Sequence, residues 1–112
     1  MTQEQFDEAV TDELQHCMEL LTAKGVEYAH DTVTVPEKDR LAHFKKAADL
    51  LGLTSEQALM GMLAKHLVSI SDMCFEEYIY YPKEVWQEKI TDSINYLLIL
   101  RAMIEEEANE QD

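Results

Sequence analysis

The 112-residue chain predicts an all-α fold, a four-helix bundle-like single domain, on three observations. Apolar residues recur at three- and four-residue spacing over four long stretches. Two capping-box signals, Thr2 with Gln5 and Thr54 with Gln57, each open one of them. Gly25, Gly52 and Pro82 punctuate the pattern, and the one alternating run, Thr32-Val33-Thr34-Val35, is too short to make a sheet alone.

The first helix is expected over about 3–24, with Phe6, Val10, Leu14, Cys17 and Leu21 as its apolar stripe and Gly25 as its end. Residues 25–36 lose periodicity and read as an ordered loop. Pro36 suits the first turn of a second helix, about 37–51, whose narrow stripe is Leu41, Phe44, Ala48 and Leu51. The third, about 55–79, carries Leu59, Leu63, Leu67, Ile70 and Cys74, widened by Met60, Val68 and Phe75, so it is expected to be central. Proline cannot continue the backbone ladder. The fourth helix therefore follows Pro82, about 83–107, with Trp86, Ile90, Ile94, Leu97, Leu100 and Ile104 toward the core. Residues 108–112 read as a frayed acidic tail.

Charge narrows the function classes. Nine Lys and Arg against 23 Asp and Glu give a net charge of -14, which argues against binding a nucleic-acid backbone. Much of the acid is solvated helix face, although an acidic surface that imitates DNA phosphates is an alternative. No stretch approaches the ~18 apolar residues of a membrane span, and Met1 to Gln5 show no basic region before an apolar core. A cytoplasmic protein with no membrane partner is expected. Cys17 and Cys74 lie in apolar helical patterns rather than in a CxxC or Cys/His cluster, so they are expected as free, buried thiols, with a disulfide between them as the alternative.

The residues that bear chemistry form a mirror about Pro82. Glu76 and Glu88, Asp72 and Asp92, and Ser69 and Asn95 sit at equal distances on either side. In two antiparallel helices equal distance means equal height, so four carboxylates and two neutral polar groups come level in pairs. Mg²⁺ (or Mn²⁺) accepts several oxygen ligands at ~2.0–2.1 Å, taking some from carboxylates and others from water or substrate phosphates. The competing reading is ordinary surface charge on an acidic helix. Lys65, Ser69, Asp72 and Glu76 share one face of the third helix, and Glu88, Asp92 and Asn95 share a line on the fourth that continues as Ile99 and Met103. A polar line that turns apolar is expected to face a cleft with a core floor. Lys45 and Lys65 are candidates to steady phosphates, or else form surface ion pairs. His66 is a candidate substrate contact or a packing residue, and Tyr28 either stacks on a base or plugs the bundle end. Nucleophile elbows, Gly-rich phosphate loops and HExxH are missing, so any catalysis would come from metal-activated water.

Four segments carry a resemblance: Lys24 to Tyr28, Asp39 to Ala48, Lys65 to Met73, and Glu88 to Tyr96 with its Asp-x-x-Asn-Tyr core. They resemble a small phage and prophage nucleotide-modification-associated domain family, itself similar to the all-α nucleoside triphosphate pyrophosphatases of the MazG and dimeric dUTPase type. The resemblance implies an Mg²⁺-dependent nucleotide pyrophosphohydrolase in a bacterial host cell, with Asp72, Glu76, Glu88 and Asp92 on the metal. Glu88 and Asp92 would also be catalytic, and Tyr28, Lys45, Lys65, His66, Ser69 and Asn95 would contact the nucleotide. It also implies a homo-oligomer. The spacing departs from that superfamily, with Asp72-x-x-x-Glu76 and Glu88-x-x-x-Asp92 in place of Glu-x-x-Glu and Glu-x-x-Asp pairs. A non-catalytic protein that binds a nucleotide or nucleotide-like small molecule is therefore the second reading, and an acidic structural or inhibitory protein the third.

Overall fold

A computed structural model describes residues 1–30 and 39–111. Four helices, α1 (Gln3–His30), α2 (Ala42–Leu51), α3 (Ser55–Phe75) and α4 (Lys83–Gln111), make an all-α, bundle-like fold with no strand among the described residues. The chain divides into two compact units, Met1–Lys38 with α1 and Asp39–Asp112 with the other three helices.

In the first unit the Thr2 hydroxyl accepts the Gln5 backbone N–H at 3.1 Å and the Gln5 side chain accepts the Thr2 N–H at 2.8 Å, so the expected capping box forms. The helix continues through Gly25 to His30, past its expected end. A glycine inside a helix costs about 1 kcal/mol against alanine but leaves the hydrogen-bond ladder intact. Residues 31–36 of the expected loop lie outside the described residues. Phe6, Val10 and Leu14 are exposed and Cys17 is buried.

In the second unit the Asp39 carboxylate accepts the Leu41 N–H at 2.9 Å, and the Asp39 carbonyl accepts the Ala42 N–H at 3.1 Å. This turn starts α2 at Ala42, five residues later than Pro36 suggested. The helix ends as expected at Gly52, whose φ of 68° is left-handed backbone that glycine adopts without a side-chain clash. The Thr54–Gln57 capping box then opens α3. Leu41, Phe44, Leu59 and Met103 form the core, with Met62, Tyr96, Ile99 and Leu100 packed around it. Each large side chain removed from water there contributes roughly 1.5–3 kcal/mol.

Two helix ends differ from expectation. α3 stops at Phe75, and Glu76 is already extended at φ -82°, ψ 111°. The aromatic and β-branched run Tyr78 to Tyr81 favours extended backbone, and the residue before a proline avoids helical angles, so the break precedes Pro82 by several residues. α4 runs on to Gln111, so the expected frayed tail is helical through that residue. Two further expectations are corrected. Cys74 is exposed, because it lies on a flank of α3 that α2 and α4 leave open. By length and composition α3 is long and apolar enough to cross a bilayer, although within this unit it packs on α2 and α4.

Candidate functional site

Core contacts fix the direction and register of the α3–α4 pair. Leu59 meets Met103, whereas seven residues further along α3 His66 faces Asp92 and Tyr96. The helices are therefore antiparallel. Leu59 with Met103 and His66 with Tyr96 both centre on residue 81, and His66 with Asp92 on residue 79, so the pairing stays close to the mirror about Pro82. Asp92 faces His66, whereas Asp72 is exposed.

Polar groups collect in this seam. Thr91, Ser93 and Asn95 are buried on α4, and His66 and Asp92 are largely covered, their side chains 13% and 26% exposed. His66 Nδ1 lies 3.8 Å from Asp92 Oδ2, longer than a hydrogen bond, and the His66 and Tyr96 rings lie 5.3 Å apart. Tyr96 also meets Phe44 edge-on at 6.4 Å, which ties the seam to the core. Ser93 satisfies itself by donating to the Lys89 carbonyl at 2.9 Å, and Ser69 donates to the Lys65 carbonyl at 3.2 Å. His66 Nδ1 and Asn95 Oδ1 are different: both are buried, and neither makes a hydrogen bond. An unmade hydrogen bond on a buried polar atom costs about 1–3 kcal/mol. The polar line of α4 does turn inward and continue over core, since Ile99 and Met103 pack below Asn95.

The carboxylates behave otherwise. Asp72, Glu76 and Glu88 are exposed, and among the described residues no three His, Cys, Asp or Glu side chains come together as a metal-holding group. Glu76 leaves the helical face because α3 ends before it. As they stand, the four acids read from the sequence as an Mg²⁺ or Mn²⁺ set do not fit one ion. Lys65 is exposed beside the seam. Lys45 is held by Asp39 at 2.6 Å and Glu106 at 2.9 Å, hydrogen bonds that raise its pKa, while the bonds from Lys45 and the Leu41 backbone lower that of Asp39. This lysine joins the start of α2 to α4 and has its charge matched by neighbours rather than left for a phosphate. The Tyr28 side chain lies outside the described residues. Sequence reading placed Tyr96 in a motif but gave it no role; its position beside Asn95 was the available signal. Comparison with protein-family models, with curated proteins and with solved structures finds no match to this chain.

Proposed function

We propose that the protein binds a nucleotide or nucleotide-like small molecule at the α3–α4 seam without hydrolysing it. The carrying observation is the pair of buried, unsatisfied atoms, His66 Nδ1 and Asn95 Oδ1. A bound molecule that donates to Asn95 and bonds His66 would relieve both costs at once, so binding would gain what the empty fold forgoes. Asp92 offers an acceptor for a sugar hydroxyl, the Tyr96 ring an apolar edge, and Lys65 a cation at the rim. The two unsatisfied atoms support this choice of seat, and the resemblance of the Lys65–Met73 and Glu88–Tyr96 segments supports the nucleotide class. The pyrophosphohydrolase reading would need its carboxylates to gather, and they are dispersed here.

A thermal-shift panel of nucleotides, each with Mg²⁺, Mn²⁺ or chelator and followed by chromatography, tests this. A ligand at 100 times its Kd should add roughly 2.7 kcal/mol of stability and be recovered unchanged. His66→Ala and Asn95→Asp should each abolish the shift. Release of pyrophosphate would restore the hydrolase reading, and the absence of any shift across the panel would remove the binding one.

A further inference from the structure

The oxygens of the α3–α4 seam lack proton donors. Asn95 Oδ1 is buried and unbonded, and among the described residues no hydrogen bond reaches the Asp92 carboxylate, which has His66 Nδ1 3.8 Å away. The serines of the two helices spend their hydroxyls on their own backbone, Ser69 on the Lys65 carbonyl and Ser93 on the Lys89 carbonyl. Backbone N–H groups inside a helix are committed to its ladder. Asp92 and Asn95 stand three residues apart on α4, so their side chains are neighbours on one face. An ionised carboxylate only accepts, so this face offers both Asp92 oxygens and the Asn95 oxygen to a ligand that donates.

That acceptor set discriminates between nucleobases. A donor brought to a buried, unpaired acceptor relieves its desolvation cost, whereas an acceptor brought there leaves it unmet. Adenine and cytosine set their amino group beside a ring nitrogen that accepts, and uracil and thymine set their N–H between two carbonyl oxygens. Guanine carries N–H groups on adjacent atoms, N1 and the exocyclic N2, with the accepting O6 next to them. His66 Nδ1 is the other unsatisfied atom, and in the tautomer that carries its proton there it donates to O6. A sugar hydroxyl would engage one oxygen of Asp92, whereas a guanine edge engages both and Asn95 as well. A free guanidinium also has adjacent donors, but it brings no acceptor for His66, and the exposed cation at Lys65 suits a phosphate rather than a second cation.

We propose that the ligand of this seam is a guanine nucleotide, with the Asp92 carboxylate accepting from N1–H and the N2 amino group, Asn95 Oδ1 accepting the remaining N2 proton, and His66 Nδ1 donating to O6. The assignment rests on the nucleotide-binding reading of the seam and adds the base to it. Asp92 becomes the residue that determines specificity, because a carboxylate facing any other common base would meet an acceptor beside the donor it needs. A site that pairs with N–H groups discriminates strongly against analogues that lack them, since its own polar atoms are then left without partners.

Calorimetric titration of the whole protein with GTP, ITP, XTP, ATP, CTP and UTP, each with Mg²⁺, tests it. GTP should bind most tightly. ITP, which lacks only the N2 amino group, should bind about 10- to 150-fold more weakly, the 1.5–3 kcal/mol of a hydrogen bond to a charged group. Asp92→Asn should lose GTP and gain XTP, in which an oxygen replaces the N2 amino group and meets an amide donor, with helical circular dichroism unchanged. Nucleotide binding with no preference for guanine, or an Asp92→Asn protein that keeps the wild-type order of bases, overturns the assignment and leaves the seat standing. Guanidinium chloride competing with GTP at equal concentration overturns it too, because the donors alone would then suffice. Binding of no nucleotide at all removes the assignment together with the reading beneath it.

Discussion

Gly61→Ala tests whether the space above one position of α3 is open. The added methyl enters open space and the helix gains intrinsic propensity. That gain is about 0.8–1.0 kcal/mol at an interior position. For a chain of 112 residues, an unfolding entropy of roughly 2.1 cal/mol/K per residue converts it into a rise of about 4 °C in Tm, read by thermal unfolding. No gain, or a loss, would mean that the space above Gly61 is filled and would refute the reasoning.

Met103→Ala removes the α4 residue of the core cluster, which is 3% exposed, and should cost about 2–5 kcal/mol, measured as a fall in the urea midpoint with unchanged slope. A loss below 1 kcal/mol would mean that the second unit does not rely on this cluster. Glu107→Gln addresses pH. The hydrogen bond to Glu56 raises the pKa of Glu107, with Glu110 and Glu106 adding like charge, whereas the bond from Glu107 lowers that of Glu56. Stability from the raised Glu107 is fully present below the ordinary carboxylate range and is lost as pH rises through the raised value. Glutamine keeps a donor for Glu56 without the charge. The variant should therefore melt higher than wild type at neutral pH and lose that advantage as pH falls toward about 4. A variant that melts lower at neutral pH would show that the two carboxylates do not repel.

The legible parts of this fold were those set by chemistry within four residues. Both capping boxes and the glycine at the end of α2 require only a hydroxyl, an amide or a missing Cβ at the right offset, and each formed where the sequence placed it. Ends decided by competition were not legible. Pro82 marks a stop, but the chain left the helix after Phe75 because the Tyr78–Tyr81 run favours extended backbone. The Lys65-His66 and Asp-x-x-Asn-Tyr segments did mark the seam, because His66, Asp92, Asn95 and Tyr96 meet there. The four carboxylates do not gather, because Asp72, Glu76 and Glu88 are exposed and Glu76 lies past the end of α3.

The least legible feature is the facing of α4. Hydrophobicity alone assigned Ile90, Leu97 and Ile104 to the core, yet all three are exposed, and Thr91, Ser93 and Asn95 are buried instead. Tyr96, Ile99, Leu100 and Met103 pack on the core and hold α4 in this facing, and the unsatisfied Asn95 oxygen costs about 1–3 kcal/mol in the isolated chain. A ligand that satisfies the seam offsets that cost, so Asn95→Leu should raise the melting temperature of the ligand-free chain and abolish the ligand-induced shift, and a variant that melts lower without ligand would show that the Asn95 oxygen carries no such cost.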